Sequence, residues 1–216
     1  MGTVLWIGGA QWAGKTTVAR ILAERFGLTA YHYDFHDARG HLDRAMANAL
    51  RYPHRNAAVN DSPDEQWVQR SPERMAADCL RGFTERFDMA LDDLRALSTT
   101  RPLIAEGWGL RPELVATRVT APDQAVFLVP SEEFRQHQLR ELDRARSLAI
   151  GHLAVEVSDP VLAQANRVAR DRLLAEDAVR SARLCGFRVI TVDGRLGAGG
   201  VADEVQEHFR KHLPRR

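Results

Sequence analysis

Eight consecutive residues, Gly9, Ala10, Gln11, Trp12, Ala13, Gly14, Lys15 and Thr16, match G-x-x-x-x-G-K-[ST] without a gap. Glycines let such a segment curl until successive backbone N–H groups face a bound phosphate. A helix beginning at the lysine adds the positive end of its dipole. In such a loop Lys15 bridges the β- and γ-phosphates of a nucleoside triphosphate, Thr16 sets its hydroxyl on Mg2+, and Thr17 reaches the α-phosphate. The only other lysine is Lys211, so Lys15 is not drawn from a lysine-rich background.

Carboxylates and arginines follow at places where phosphoryl chemistry could use them. Asp34 closes the apolar run Ala30 to Asp34. There it could take the proton of an alcohol as the γ-phosphoryl moves in line, or cap the following turn. Asp37 faces the same side if a helix starts at Phe35, which makes it a substrate-binding candidate. Glu106 ends the run Leu103 to Glu106, where an acid holds Mg2+ through water. Its longer side chain leaves substrate binding or base catalysis as alternatives, and Arg111 just beyond is a candidate for the substrate.

Further on, Arg135, Arg140, Arg144 and Arg146 punctuate one segment. Arg140 and Arg144 share a helical face and could steady charge on the transferring phosphoryl group. Glu132, Glu133, Glu141 and Asp143 interleave with them, so surface ion pairs are the competing reading. Arg167 and Arg170 could close the far side. Trp12 and Trp67 could stack on a ring-bearing substrate or simply pack, while His36 and His41 read as loop histidines.

The elements that must position these groups alternate short apolar runs with longer amphipathic ones, as strands joined by helices in a parallel sheet do. The strands are Val4 to Gly8, Ala30 to Asp34, Leu103 to Glu106, Ala125 to Val129 and Phe187 to Val192. Between the first two, Val18, Ile21, Leu22 and Phe26 share a helical face that Gly27 ends. Ser71, Pro72 and Glu73 start a long helix with a buried stripe through Ala76, Cys79, Leu80, Phe83, Phe87, Ala90, Leu91 and Leu94. From His36 to Arg70 periodicity is weak and turn formers are many, which suits an acceptor-binding insertion. Gly197 to Gly200 reads as a turn before a final amphipathic helix. The 216 residues suit one domain.

The phosphate loop between a strand and a helix, with Asp34, Glu106, Gly107 and Arg111 in that order, resembles the small P-loop kinases. That group includes nucleoside monophosphate, shikimate, gluconate and antibiotic kinases such as chloramphenicol phosphotransferase. The resemblance implies an α/β P-loop NTPase fold, a three-layer sandwich with a five-stranded parallel sheet ordered 2-3-1-4-5 and a helical lid. It implies a single domain over 1–216, an acceptor-binding insertion at about 36–100 and a lid at about 135–170. ATP and Mg2+ are the expected cofactors, and Asp193 with Gly194 resembles the loop that contacts adenine.

Composition narrows the partners. A formal net charge of +1, with acids interleaved among the bases, disfavours nucleic acid. No run of ~18 apolar residues suggests a membrane span. Cys79 and Cys185 stand far apart and read as buried reduced thiols without a metal cluster. A cytoplasmic monomer or homodimer acting on a small-molecule acceptor is expected. The leading function is transfer of the γ-phosphoryl of ATP to a hydroxyl, since a phosphate acceptor is already nucleophilic and needs no base. A nucleoside or nucleotide kinase is the alternative, and a P-loop ATPase without a small acceptor is the alternative of another class.

Overall fold

Apolar residues that point to both faces of a strand can be buried only if helices cover both faces. A computed structural model, which describes residues 2–97, 100–142, 147–150 and 153–214, has that arrangement. The first half runs β1 (Val4–Gly9), α1 (Lys15–Phe26), β2 (Thr29–His32), α2 (Tyr33–Ala38), α3 (Gly40–Ala47), α4 (Pro53–Asn60) and α5 (Pro72–Ala96). The second runs β3 (Leu103–Glu106), α6 (Pro112–Val115), β4 (Ala125–Pro130) and α7 (Glu132–Glu141). A short antiparallel hairpin of β5 (Ala149–Ile150) and β6 (Leu153–Ala154) leads to α8 (Pro160–Leu184), β7 (Arg188–Val192) and α9 (Ala198–Phe209).

The five long strands form one parallel sheet in the order β2-β3-β1-β4-β7. With the hairpin left out of the numbering, this is the expected order 2-3-1-4-5. Register sets Ile7 and His32 beside Glu106, so β2 and β3 finish at one level and β1 runs on to Gly9. Ligand sites of open parallel sheets lie beyond that edge, where crossovers leave to opposite sides.

Alternation along β1 builds both core layers. Val4 and Trp6 pack with Tyr31, Phe83, Phe87, Leu94 and Phe127, under α5 and α8. Leu5 and Ile7 pack with Val18, Leu22, Val126, Leu128 and Phe209, under α1 and α9. The three-layer sandwich follows.

Local differences from expectation have physical causes. The second strand stops at His32 rather than Asp34, because the chain turns at once into α2. Asp34 therefore lies in the first turn of a helix. The segment from His36 to Arg70 is largely helical, through α3, α4 and a π-helical turn at Glu65–Gln69. Its short helices lack a long stripe, and Ala45 and Tyr52 form a small buried cluster with Met89 of α5. Glycines 199 and 200 belong to α9, the turn ending at Gly197. Both cysteines are free and half-buried. Among the described residues no helix is long and apolar enough to cross a membrane.

The start of α5 is capped as expected: Ser71 accepts from the backbone N–H of Arg74 at 3.3 Å and Pro72 takes the first helical position. Ser71→Ala should lower unfolding free energy in urea by about 1 kcal/mol. Leu91→Ala, which empties a site that is 1% exposed, should cost about 2–5 kcal/mol.

Candidate active site

The phosphate loop is shaped by positions at which ordinary side chains fail. Gly9 has φ 116°, and a Cβ there would collide with the carbonyl oxygen of Leu128. Gly14 has φ 74° and opens α1 without any side-chain cap, so the first N–H groups of the helix stay available to an anion. Lys15 is buried, and its Nζ donates to the carbonyl oxygen of Ala10 at 2.7 Å. Trp12 also has positive φ, 67°. Its indole N–H donates to Asp171 of α8 at 3.3 Å, and the Arg167 guanidinium lies 5.5 Å from its ring centroid.

Beside the loop stands Glu106, 1% exposed at the end of β3. Its Oε1 accepts from Thr16 Oγ1 at 3.0 Å and from His32 Nδ1 at 2.9 Å. That hydrogen bond raises the His32 pKa. Glu106 Oε2 is buried with no hydrogen-bond partner. A buried carboxylate oxygen left this way is costly unless something else reaches it. An Mg2+ carried by a nucleotide fits, since such ions keep waters and phosphate oxygens and need only one or two protein groups. Among the described residues no cluster of three or more His, Cys, Asp and Glu could hold a metal alone.

Asp34 sits across from the loop. Its Oδ1 accepts the backbone N–H of Trp108 at 3.0 Å. Asp34 is exposed by surface area, although protein atoms crowd around its carboxyl group. That crowding raises its pKa to about 7, against the opposing charge of Lys15 and with added repulsion from Glu106. Gly107, φ 155°, makes the approach feasible: a Cβ there would lie 2.6 Å from Tyr33 Cβ and 2.9 Å from Asp34 Oδ1.

Asp34, Gln11 and Trp12 open onto a cleft of about 400 Å3 between the loop, the helical segment after β2 and α8. Trp67 and Trp108 wall it, with the Arg170 guanidinium 5.1 and 5.3 Å from their ring centroids. Most of its charges are matched in pairs. Arg86 holds Asp37 through two bonds, Nε–Oδ1 at 2.5 Å and Nη2–Oδ2 at 3.0 Å. Although burial alone would raise it, Arg86 and His41 hold the Asp37 carboxyl well below the usual carboxylate range. Arg170 binds Asp171, and Arg70 binds Asp61 and Asp78.

The expected residues thus divide. The structure brings together the loop, Thr16, Glu106, Asp34, Trp12 and Trp67. Asp37 lines the cleft, but its carboxylate is committed to Arg86. Arg111 is buried elsewhere, bound to Asp177 at 2.5 Å and to the carbonyl oxygen of Leu174. Its charge pins α6 to α8 and does not border the cleft. Arg140 is exposed on the last turn of α7 and outside the cleft wall, while Arg144 and Arg146 lie outside the described residues. Arg167 and Arg170 do border the cleft. His32, Arg86, Trp108 and Asp171 had not been singled out from the sequence. His32 alone carried a usable signal, its register opposite Glu106 once β2 and β3 are paired.

No protein-family model and no curated protein matches the sequence. Among solved structures, a shikimate kinase from Acinetobacter baumannii in complex with shikimate is similar, with TM-score 0.50 and 18% identity over 99% of this chain and 97% of that one. A thymidylate kinase from Candida albicans also reaches TM-score 0.50, with 12% identity over 97% of this chain and 92% of that one. The fold is that of the small P-loop kinases. At these identities the likeness is one of fold.

Two outcomes test the geometry around Asp34. Gly107→Ala should displace Tyr33 and Asp34 and lower the thermal midpoint, with phosphate-loop binding of a nucleotide retained. The Asp34 proton also gives a linkage signature. Unfolded, the carboxyl returns to its ordinary pKa of 3.8, while folded it titrates at about 7. Between those values the folded chain holds a proton that the unfolded chain has released, so this group's contribution to stability falls as pH rises through the window. The unfolding free energy of wild type minus that of Asp34→Asn, read in urea, should therefore fall from about pH 4 to about pH 7 and level off above, leaving the wild type the less stable of the two at high pH.

Proposed function

We propose that this protein is an ATP-dependent kinase that moves the γ-phosphoryl group to a hydroxyl of a small molecule held in the cleft. One observation carries the reading: a carboxylate fixed by the Trp108 backbone N–H stands between the phosphate loop and a walled cleft of about 400 Å3. The fold serves both a shikimate kinase and a thymidylate kinase, so the choice of acceptor rests on Asp34. A phosphate acceptor has no proton that needs removing, whereas an alcohol does. A pKa of about 7 suits a group that must accept a proton near neutrality and release it after turnover.

On this reading the acceptor O–H gives its proton to Asp34 as its oxygen bonds to the γ-phosphorus. The bond from γ-phosphorus to the β,γ-bridging oxygen breaks, and ADP leaves with that electron pair. Trp108 N–H orients the carboxylate. Lys15 leaves the Ala10 carbonyl for the β- and γ-phosphates, and Gly9 to Thr17 hold the rest of the chain of phosphates. Thr16 and Glu106 would hold Mg2+, which when bound spreads the charge of the β- and γ-phosphates. The helices over about 36–100 serve as the acceptor side and about 135–170 as the lid, with Arg167 and Arg170 on its inner face. A cytoplasmic enzyme without nucleic-acid or membrane partners remains part of the proposal. A simple ATPase has no use for the walled cleft beyond Asp34, which counts against that alternative.

ATP consumption with Mg2+, measured against a panel of nucleosides, sugars, hydroxy acids and antibiotics with products read by mass, tests the reading. Acceptor-dependent turnover should rise with pH through an apparent value near 7 and then level. Asp34→Asn should lower kcat by about 10^2–10^4 with ATP binding retained, and Lys15→Ala should lower turnover by orders of magnitude. Hydrolysis that no compound changes, or an Asp34→Asn enzyme as fast as wild type, would sink it.

A further inference from the structure

Three arginine–carboxylate pairs account for most of the charge lining the cleft, and Arg167 in the same wall donates to the Ser147 carbonyl oxygen and lies over the Trp12 ring. Asp37 is matched by Arg86, Asp171 by Arg170 and Asp78 by Arg70. Arg55 of α4 also borders the cleft, and no described carboxylate lies within ion-pair distance of it. Its Nη2 makes a 3.4 Å bond to the backbone carbonyl oxygen of Asp37, and its Nε is buried with no hydrogen-bond partner. Burial first, and the neighbouring Arg86 charge second, pull its pKa below the usual arginine value, with Asp37 opposing. A second buried donor in the same wall, the indole N–H of Trp67, is likewise without a partner.

Both unsatisfied groups are donors. A half-buried guanidinium whose Nε has no partner carries a cost that falls when a ligand supplies acceptor oxygens carrying negative charge. A neutral alcohol would answer Asp34 and leave Arg55 unmatched. We infer that the acceptor is an anionic alcohol whose carboxylate or phosphate monoester is held by Arg55, with the Trp67 indole N–H as a second donor, while its hydroxyl faces Asp34. This inference rests on the kinase reading above for the role of the hydroxyl, but the anion subsite itself does not require turnover.

The test separates the two. With the phosphate loop filled by Mg2+ and a non-hydrolysable ATP analogue, D-glycerate, glycerol 3-phosphate and glycerol are titrated while the fluorescence of the cleft tryptophans is followed. At least one anionic compound should bind saturably and more tightly than glycerol. Whether glycerate or glycerol 3-phosphate binds better distinguishes a carboxylate site from a phosphate site. Arg55→Met should weaken that binding about 10- to 100-fold, Arg55→Lys should restore part of it, and affinity for the nucleotide should stay as in wild type, which also reports that the variants are folded.

With the acceptor panel, anionic alcohols should turn over, with KM raised in Arg55→Met. Equal binding of all three compounds, no binding by either anion, or anion binding indifferent to Arg55 would overturn the inference, and a neutral alcohol turned over by both wild type and Arg55→Met would do so while leaving the kinase intact. Arg55-dependent anion binding without phosphorylation of any panel compound would support the subsite and reject the kinase.

Discussion

A single buried carboxylate organises the site. Glu106, sealed at the end of β3, is tolerable only because donors reach it. Those donors come from two other elements: Thr16 from the first turn of α1 and His32 from the last position of β2. Satisfying one oxygen therefore fixes the phosphate loop, β2 and β3 relative to one another. The next two residues continue the effect. Gly107 lets the chain pass close to Tyr33, and Trp108 offers its N–H to Asp34. From Glu106 to Asp34 every step is a local requirement imposed by the step before.

Burying so many ionic groups around the cleft needs a different explanation from stability. Replacing a buried pair by apolar residues is often neutral or favourable, so Asp37 with Arg86 and Asp171 with Arg170 are weak evidence for a more stable fold. What they do is fix orientation. Asp37 pins α2, the helix that carries Asp34, to α5, and His41 stands 3.7 Å from the same carboxylate while bonding Asp93 at 2.7 Å. Arg111 with Asp177 ties α6 to α8 in the same manner. The polar network holds the helices that line the cleft where apolar packing alone is thin, since the short α2, α3 and α4 bury few large side chains.

Much of this was legible in the sequence, for reasons that differ by element. The phosphate loop could be read residue by residue because its chemistry is local: consecutive positions make it, and strand and helix flank it. The sheet could be read because buried parallel strands are short apolar runs. Asp34 stands out in the sequence by its place after the second strand, although the strand ends two residues earlier and a helix has begun. Asp37 and Arg111 were assigned to substrate because residue type and position say that a charge is present, not which opposite charge folding will bring to it. Arg86, fourteen residues into α5 and forty-nine beyond Asp37, decides the first case, and Asp177 decides the second. His32 required the strand pairing before its neighbour could be named. Arg140 was chosen for helical spacing with Arg144, and spacing does not report whether a helix face turns toward a cleft.

Trp12 shows how the two halves of the site share one geometry. A non-glycine residue at φ 67° carries a backbone cost of about 1–2 kcal/mol, and something must hold it. Here the holders are Asp171, which accepts its indole N–H, and Arg167, stacked over its ring, both from α8. Asp171 in turn anchors Arg170, which lies between Trp67 and Trp108 in the cleft wall. The curvature of the loop is therefore maintained by the helix that walls the cleft. A displacement of α8 cannot leave the loop unchanged, and a change in the loop at Trp12 must be felt at Arg170. In a site built this way the shape of the loop and the shape of the cleft beyond Asp34 are set by the same few hydrogen bonds.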